Sequence, residues 1–309
     1  MINTDILAIG SGPAGCTAAI YGVRSGYKTI VLCGASHGGQ LVKTNDMENF
    51  PGFVDPISGY EVMDRIHKQC SRLGVEFMQE TAVKIETGAR PFTLHCASGL
   101  QIAARAVIIS VGACASRLGI ESEKRFMGKG VSTCATCDGF FYKNKTACVI
   151  GGGNRAVEEA VFLTKFCKKV YLIHRRETFR AHKVSVDKAR AIANLEFVLS
   201  SAVESINGDE SGVKSITVRN INTKVLRDIE TDGVFVAVGT RPQTDFLKDS
   251  GVELTSGGYI VVNEKTHTNI KGIFAAGDCT NSMYNQAVIA AGSGAKAAME
   301  AVSFLNEDC

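Results

Sequence analysis

A glycine-rich turn between a short apolar run and a helical run occurs twice in this chain, and it constrains the fold more than any other feature. In the first copy, the apolar run TDILAIG (residues 4–10) leads through GSGPAG (10–15) into an alanine-rich run with helical periodicity. Another short apolar run follows at residues 28–32. Strand, glycine turn, helix and strand within about 30 residues predict a βαβ unit of the dinucleotide-binding type.

Each glycine of the first turn has a separate task in such a unit. Gly10 permits the tight turn, Gly12 lets the backbone approach a pyrophosphate, and Gly15 lets the helix pack on the strand. The pyrophosphate is expected at the helix N-terminus, where backbone N–H groups and the helix dipole favour an anion. The three glycines are therefore candidate cofactor contacts.

The second copy begins with the apolar run ACVI (residues 147–150) and continues through GGGNRA into a helical run. Gly151 and Gly153 hold the first two glycine positions, and Ala156 holds the third, which is a permitted variant of the motif. The repeat predicts a second dinucleotide-binding unit in the same chain.

Similar apolar runs at residues 107–113 and 233–240 close the two copies. The strand-like segment AAGD (275–278) continues neither copy, and we expect it to return to the first domain. A length of 309 residues fits two domains at roughly 150 residues each. We therefore predict an α/β fold with two Rossmann-like domains, one formed by residues 1–115 and 246–309 and the other, residues 116–245, inserted into it.

Composition narrows the class of protein. With 45% hydrophobic and 21% charged residues, the chain has the composition of a folded protein. The 34 basic and 31 acidic side chains leave a formal charge of +3, so we expect no nucleic-acid partner. No run approaches the roughly 18 apolar residues of a membrane span, and no secretion signal is evident. The 11 scattered cysteines are typical of a reducing compartment, so we expect a cytoplasmic protein without a membrane partner.

The residues after the second strand of the second copy indicate which dinucleotide binds there. Units that bind NAD place an acid about 20 residues past the glycine turn, where it bonds the ribose 2′-hydroxyl. Here the run VYLI (170–173) leads into His174, Arg175 and Arg176, with Arg180 close behind. Guanidinium groups form paired hydrogen bonds to phosphate oxygens. The cluster therefore predicts a 2′-phosphate, and hence NADPH.

The sharpest chemical feature is the segment Cys134-Ala-Thr-Cys137-Asp138. Two cysteines at this spacing can close a disulfide, supply half of a metal site or be passively buried. A metal site needs further ligands, and the sequence has neither a second CxxC nor a spaced histidine pair, so we expect no metal and favour redox exchange. Asp138 is a candidate general acid for a departing thiolate.

A nicotinamide donor and a disulfide need an intermediary between them. Nicotinamide gives up a hydride, whereas a disulfide opens by thiolate attack, and flavin reacts with both. FAD is therefore implied at the first glycine turn. The residues after the second strand of the first copy identify their ligand less clearly than the arginines of the second copy do, because VLCG (31–34) contains neither an acid nor an arginine.

The sequence resembles the low-molecular-weight thioredoxin reductases over essentially its whole length. The resemblance is carried by GSGPAG (10–15), GGQL (38–41), ENFPGF (48–53), CATCDGFFY (134–142), GGGNRAVEEA (151–160), HRRETFR (174–180), AAGDC (275–279) and NQAVIAAGSG (285–294). It implies transfer of electrons from NADPH through FAD and the cysteine pair to oxidised thioredoxin, with a large domain rotation between the half-reactions. It also implies a homodimer.

The resemblance further implies individual roles. Cys137 would face the flavin, Cys134 would attack the thioredoxin disulfide, and Asp138 would protonate. Thioredoxin would contact Phe140 and Phe141, together with Lys129, which stands where the family often has arginine. The additional cofactor contacts implied are Pro13, Ala14, Gly39, Gln40, Leu41, Asn49, Asn154, Arg155, Asp278 on the FAD ribityl chain, and Gln286 and Ala287 on the isoalloxazine.

The chain departs from the family pattern in three places. Asn285 occupies a position that is commonly arginine, which bears on the flavin potential or on FAD affinity. Arg155 occupies a position that is commonly serine, which bears on binding of the nicotinamide nucleotide. The segment SVG (110–112) replaces the usual Ala-Thr-Gly.

Three alternative functions remain open. The reductase partner of a peroxidase has a related sequence but carries an extra N-terminal redox domain, and here the first strand begins at Thr4. A ferredoxin-type NADP reductase has a similar fold but lacks the cysteine pair. A non-catalytic redox sensor would bind nucleotide and signal through Cys134 and Cys137, and turnover of oxidised thioredoxin would separate it from an enzyme.

Overall fold

The computed structural model describes residues 1–34, 37–44, 47–280 and 284–307. The chain divides into two compact units. The first consists of Met1–Cys114 together with Arg241–Cys309, and the second is the intervening segment Ala115–Thr240. Each unit contains a sheet with neighbouring parallel strands and a glycine turn at the carboxyl end of one of them, although β4 and β5 pair antiparallel in the sheet of the first unit. The predicted α/β fold with two Rossmann-like units is therefore confirmed.

The elements follow one another in three stretches of chain. The first stretch contains β1 (Ile2–Ile9), α1 (Pro13–Arg24), β2 (Thr29–Leu32), α2 (Gly59–Arg72), β3 (Glu76–Met78), β4 (Ala82–Glu86), β5 (Phe92–Cys96), β6 (Gln101–Ile109) and β7 (Ala113–Ala115). The inserted stretch contains α3 (Glu121–Phe126), β8 (Val131–Ser132), α4 (Ala135–Asp138), β9 (Thr146–Ile150), α5 (Asn154–Leu163), β10 (Lys169–Ile173), α6 (Lys183–Arg190), β11 (Leu195–Val198), β12 (Ser201–Asp209), β13 (Gly212–Asn220), β14 (Leu226–Glu230) and β15 (Gly233–Val236). The last stretch contains β16 (Thr240–Pro242), β17 (Ile273–Ala275) and α7 (Ala287–Glu307).

The large sheet of the first unit has the strand order β3-β2-β1-β6-β5-β4. β1 runs parallel to β2 and β6, with Ile9 beside Leu32 and beside Ile109. β17 also runs parallel to β6 and places Ala275 beside Ile109, so the late strand joins the early sheet. The carboxyl ends of β1, β6 and β17 consequently meet at one edge, where ligands bind in sheets of this type.

The central sheet of the second unit has the order β11-β10-β9-β15-β8, and its strands are parallel. An antiparallel sheet of β12, β13 and β14 lies in the same unit. The helix α5 packs on the central sheet through the buried residues Ala156, Ala160 and Leu163. This helix begins at the second glycine turn, so its packing on the sheet sets the position of the second predicted dinucleotide site.

The helix α7 is, by length and composition alone, apolar enough to cross a membrane. It packs along α1, because a Cβ at Gly294 would come within 2.9 Å of the Cα of Ala14. Ala297, Ala301 and Phe304 are buried in the same cluster. The contacts of α7 are those of a core helix of the first unit.

Candidate active site

The first glycine turn joins β1 to α1 and is closely packed at two of its glycines. Gly10 has a φ of +119°, and a Cβ there would strike the carbonyl oxygen of Ser110. A Cβ at Gly15 would strike the carbonyl oxygen of Gly10. The Ser110 hydroxyl donates to the carbonyls of Ile9 at 3.1 Å and Gly10 at 3.2 Å. This serine, one of the departures from the family pattern, therefore ties the end of β6 to the turn.

Gly12 leaves open space in front of the N-terminus of α1. The nearest atom to a Cβ there is the Gly38 carbonyl oxygen, at 4.0 Å. Gly12 is the N-cap residue, and no side chain of the described residues caps the helix. The Gly38 N–H donates to Ser11 Oγ at 3.0 Å, which closes one side of the space. Backbone N–H groups facing such a cradle fit a pyrophosphate.

Gly39 and Gln40 extend the loop that closes this cradle. A Cβ at Gly39 would lie 3.4 Å from the Cα of Gly12, so this loop runs directly beside the turn. Gln40 Nε2 donates to Cys114 Sγ at 3.2 Å. Leu41 follows in a short 3₁₀ helix and packs against the apolar cluster beneath the loop.

Asp278 and Gln286 come to the same edge of the sheet from the last stretch of chain. Gly277 has a φ of +76°, and a Cβ there would lie 3.0 Å from the Cβ of Ala14, so Asp278 follows β17 close to the start of α1. Gln286 Oε1 accepts from Asn49 Nδ2 at 3.1 Å. The structure thus brings these predicted cofactor contacts together from distant parts of the sequence.

Ala287 opens α7 immediately after Gln286. It packs against the cluster of Met47, Ile57 and Val62. Residues on both sides of the ENFPGF motif and the start of α7 are therefore held together by apolar contacts.

The second glycine turn repeats the pattern of the first. Gly151 has a φ of +157°, and a Cβ there would strike the carbonyl oxygen of Ala237 and lie 2.7 Å from the Cβ of Ala156. Gly153 is the N-cap residue of α5, and a Cβ there would meet nothing within 4 Å. The second position is again the open one, as a pyrophosphate site requires.

His174 lies directly beneath this turn. A Cβ at Gly152 would strike the His174 ring, which stacks on Phe179 with ring centroids 5.1 Å apart. Burial, assisted by the positive charges of the neighbouring arginines, lowers the pKa of His174. The ring is buried, so it supports the turn as a neutral group instead of adding charge at the surface.

Arg175, Arg176 and Arg180 are exposed, in contrast to His174. The segment that carries them is tied to the turn by its backbone, because the Arg180 N–H donates to the Gly152 carbonyl at 2.8 Å. Asn154 Oδ1 accepts from the His182 N–H at 2.7 Å. The backbone of the segment that carries the three arginines is therefore held beside the glycine turn, where a 2′-phosphate is expected.

Cys134 and Cys137 form a disulfide, with their Cα atoms 5.4 Å apart. Cys134 is the N-cap residue of α4, and its N–H donates to Ser132 Oγ at 3.0 Å. Both cysteines are partly exposed, as is Asp138, the last residue of α4. A disulfide that solvent can reach, with a carboxyl group next to it in the chain, is suited to thiol exchange.

Phe140 and Phe141 follow the disulfide in a short 3₁₀ helix and are 68% and 54% exposed. Two large aromatic side chains side by side on a surface are typical of a protein contact. Lys129 is exposed in the turn that precedes β8, and its carbonyl accepts from the Val213 N–H at 3.2 Å.

Arg155 and Glu159 reveal a contact that sequence reasoning missed. The guanidinium of Arg155 donates from Nη2 to the carbonyl of Thr133 at 2.6 Å and from Nε to Glu159 Oε1 at 2.8 Å. An arginine four residues before a glutamate is a recognisable helical pair. The sequence gives no sign, however, that this pair reaches the residue before Cys134.

Most of the other cysteines are buried, which makes their thiols unreactive. Apart from Cys114, which is partly exposed, the free cysteines among the described residues are buried. Burial raises the pKa of Cys148 and of Cys279 to about 12, so these thiols stay protonated near neutral pH. The described residues contain no cluster of three or more metal-ligating side chains.

Comparison with known proteins gives a consistent result. The sequence model of the pyridine nucleotide-disulphide oxidoreductase family matches residues 4–294. A thioredoxin reductase of Rickettsia conorii is 41% identical over 309 residues, which cover 99% of each chain.

Solved structures agree with the sequence relatives. The thioredoxin reductase from Giardia duodenalis has a TM-score of 0.94 at 39% identity and covers 99% of this chain and 100% of its own. The thioredoxin reductase from Streptococcus pyogenes has a TM-score of 0.90 at 37% identity, with 99% of both chains covered. With both glycine turns, the disulfide and nearly the full length matched, the chain belongs to the pyridine nucleotide-disulphide oxidoreductase family, among its thioredoxin reductases.

Proposed function

We propose that the chain is an NADPH-dependent thioredoxin-disulfide reductase, which moves electrons from NADPH through FAD and the Cys134–Cys137 disulfide to oxidised thioredoxin. One observation carries the proposal: the disulfide lies against α5, the helix that begins at the second glycine turn. The predicted nucleotide site and the disulfide thus lie beside one helix. The related thioredoxin reductases support the same activity.

FAD is assigned to the first glycine turn and NADPH to the second. The open cradle at Gly12, with Asp278 and Gln286 at the same edge, fits a long flavin dinucleotide. The exposed Arg175 and Arg176 beside the second turn fit a 2′-phosphate. We assign the FAD domain to residues 1–115 and 246–309 and the NADPH domain to residues 116–245. The compact units place the first of these two boundaries one residue earlier and the second five residues earlier.

The cysteine pair performs the last exchange. When bound, FAD supplies a carrier that takes a hydride from NADPH and passes the electron pair to the disulfide. Uptake of two electrons and two protons opens the bond between Cys134 and Cys137 to a dithiol. The Cys134 thiolate attacks the thioredoxin disulfide, forms a mixed disulfide and releases one thioredoxin thiolate. Cys137 then attacks the Cys134 sulfur, which restores the internal disulfide and releases reduced thioredoxin.

Asp138 is assigned as the proton donor to the thiolate that leaves when the disulfide opens. In Asp138→Asn we expect reoxidation of the reduced flavin by the disulfide to slow about a hundredfold, because positioned acids contribute roughly 10²- to 10⁴-fold. NADPH binding should change little. Stopped-flow flavin absorbance measures the step. Asp138→Glu is the control that keeps the acid, and an unchanged rate in Asp138→Asn would remove the residue from the mechanism.

Gly12→Ala and Gly153→Ala form a matched pair that tests the two cofactor assignments. Both glycines have negative φ values, −76° and −95°, and a Cβ at either meets open space, so both variants should fold. We expect Gly12→Ala to lower FAD content and Gly153→Ala to raise the KM for NADPH. An intruding methyl group costs roughly 1–3 kcal/mol, which corresponds to about five- to 150-fold in affinity.

The measurements are flavin absorbance per chain and steady-state KM. Gly292→Ala is the control, because a Cβ there also meets open space but lies within α7. Loss of FAD from Gly153→Ala with full FAD in Gly12→Ala would reverse the two assignments.

A domain rotation between the half-reactions is part of the proposal. The disulfide and the arginine segment belong to the same unit, and each must deliver or receive electrons at one flavin. Reaction requires near-contact of roughly 3–3.5 Å. The disulfide and the nicotinamide site lie at different places on one rigid unit, so they contact the flavin one after the other. A rigid-body rotation of this unit on the microsecond to millisecond timescale would bring each to the flavin in turn.

Thioredoxin is the assigned partner, and its contacts are assigned to Phe140, Phe141 and Lys129. All three side chains are exposed, and Phe140 and Phe141 follow the disulfide directly in the chain, which supports the assignment. We also propose a cytoplasmic homodimer. Exposed apolar side chains of the first unit, among them Val54, Tyr60, Val288 and Ile289, supply the surface that a second copy would cover.

Catalytic turnover tests the function. Purified protein should oxidise NADPH continuously when oxidised thioredoxin is supplied, for many equivalents per chain. A redox sensor would consume about one equivalent and stop. Absence of turnover with thioredoxin would overturn the proposal.

A further inference from the structure

Arg155 stands second in α5, directly after the second glycine turn, yet its side chain bonds the redox segment. Its Nη2 donates to the carbonyl of Thr133, the residue before Cys134, at 2.6 Å. Its Nε donates to Glu159 Oε1, one turn further along the same helix, at 2.8 Å. The guanidinium therefore joins α5 to the chain that enters the disulfide.

Glu159 is a buried acid, only 7% exposed. Its second oxygen, Oε2, is buried and has no hydrogen-bond partner among the described residues. Burial raises the pKa of Glu159, and the positive charge of Arg155 opposes this effect. Removing the arginine alone would leave a buried carboxyl group without its counter-charge, which is the costly way to break a buried pair.

The rest of the redox segment also rests on α5. Ala135, between the two cysteines, is fully buried and packs in one cluster with Ala156 and Ala160. A Cβ at Gly139 would come within 2.9 Å of Leu163 Cδ2, so α4 continues closely along the helix. The Thr133 carbonyl adds a hydrogen bond from α5 to the chain that enters Cys134, beside the bond from the Cys134 N–H to Ser132 Oγ.

We propose that Arg155 is a positioning residue for the disulfide, and that its pair with Glu159 fixes the backbone entering Cys134 so that the reduced Cys134 is a reactive thiolate. This assignment rests on the proposed function and differs from a role in nucleotide binding. Without Arg155, burial raises the pKa of Glu159 further, and the fraction of the acid that stays ionised disfavours a thiolate in the redox segment by like-charge repulsion. The paired arrangement avoids that repulsion and holds the peptide in place.

The test compares Arg155→Ala, Arg155→Lys, Glu159→Gln and the double variant Arg155→Ala/Glu159→Gln in the flavin-loaded protein. Arg65→Ala is the matched control, because Arg65 pairs with Glu61 at the same helical spacing on the exposed face of α2. After reduction with dithiothreitol, the rate of alkylation of Cys134 by iodoacetamide is measured against pH, with the modified peptide identified by mass. The KM for NADPH and the kcat with thioredoxin are measured in parallel.

In Arg155→Ala we expect alkylation of Cys134 at pH 7 to slow about tenfold and its pH profile to move upward, since one pKa unit changes the thiolate fraction tenfold. The kcat with thioredoxin should fall similarly, while the KM for NADPH stays within about twofold. Arg155→Lys should recover part of the rate, because it keeps the charge but loses the two-armed hydrogen bonding. The double variant should react faster than Arg155→Ala, because it removes the unpaired carboxylate.

Three results would overturn the proposal. One is an unchanged alkylation profile in Arg155→Ala together with a raised KM for NADPH, which would make Arg155 a nucleotide contact. Another is a double variant no faster than Arg155→Ala. If Arg155→Ala does not fold, Arg155→Lys and Glu159→Gln carry the test, and wild-type alkylation profiles in both would contradict it. Failure of the wild type to turn over thioredoxin would refute the proposed function and leave the alkylation comparison intact.

Discussion

Cys134→Ser and Cys137→Ser are expected to lose thioredoxin reduction by at least about a thousandfold while NADPH still bleaches the flavin. Removal of a nucleophile that forms a covalent intermediate abolishes the step that depends on it. Electron uptake from NADPH precedes disulfide chemistry, so it does not need either sulfur. Steady-state turnover and anaerobic flavin absorbance measure the two halves separately.

Cys114→Ser is the control for this experiment. Cys114 is the partly exposed free cysteine of the described residues, so its replacement tests whether any accessible thiol suffices. We expect it to keep full turnover. Loss of NADPH-dependent bleaching in Cys134→Ser or Cys137→Ser would contradict the proposed order of electron transfer.

Trapping separates the roles of the two cysteines. The substrate is thioredoxin that lacks its resolving cysteine. Its remaining cysteine is activated as a mixed disulfide with thionitrobenzoate, so that one thiolate can attack its sulfur. In Cys137→Ser, Cys134 should displace thionitrobenzoate and form a stable link to thioredoxin. Trapping in Cys134→Ser, and not in Cys137→Ser, would invert the roles.

Arg175→Ala/Arg176→Ala is expected to raise the KM for NADPH by about a hundredfold or more and to leave the KM for NADH nearly unchanged. Each charge-assisted contact with a phosphate contributes roughly 1.5–3 kcal/mol, or about tenfold or more in affinity. NADH lacks the 2′-phosphate and loses nothing. His174 does not replace the lost charge, because its pKa is lowered and the ring is neutral near pH 7.

Steady-state KM values for both donors check this result. Lys188→Ala is the matched control, because Lys188 is an exposed cation of the same unit on α6, away from the glycine turn. It should change neither value. Equal losses with NADPH and NADH in the double variant would contradict the assignment of the 2′-phosphate to these arginines.

The glycine turns and the cysteine pair could be predicted from sequence because they are local. Each glycine turn is set by a few consecutive residues, and the spacing of Cys134 and Cys137 already permits a disulfide. The ends of the closing strands were less predictable. β6 ends at Ile109 and β15 ends at Val236, before the ends of their apolar runs. The residue that follows each strand packs against the first glycine of the turn after the neighbouring strand.

Contacts between elements distant in sequence were beyond sequence reasoning. His174 stands among arginines in the sequence, but its ring is packed under Gly152 and only the arginines remain exposed. Arg155 stands in a cofactor motif, but its side chain bonds Thr133 and Glu159. Both facts depend on how helices and loops pack in three dimensions, which the hydrophobic pattern does not determine.

One anaerobic titration of the purified protein, followed by absorbance, tests the proposed path of electrons from NADPH to thioredoxin. Two equivalents of NADPH, one to open the disulfide and one to reduce the flavin, should bleach a yellow flavin spectrum, and addition of oxidised thioredoxin should restore the colour as two thioredoxin thiols appear for each equivalent of NADPH. In Cys137→Ser the bleaching should persist after thioredoxin is added. A wild-type spectrum that NADPH does not bleach, or that thioredoxin does not restore, would contradict this path of electrons.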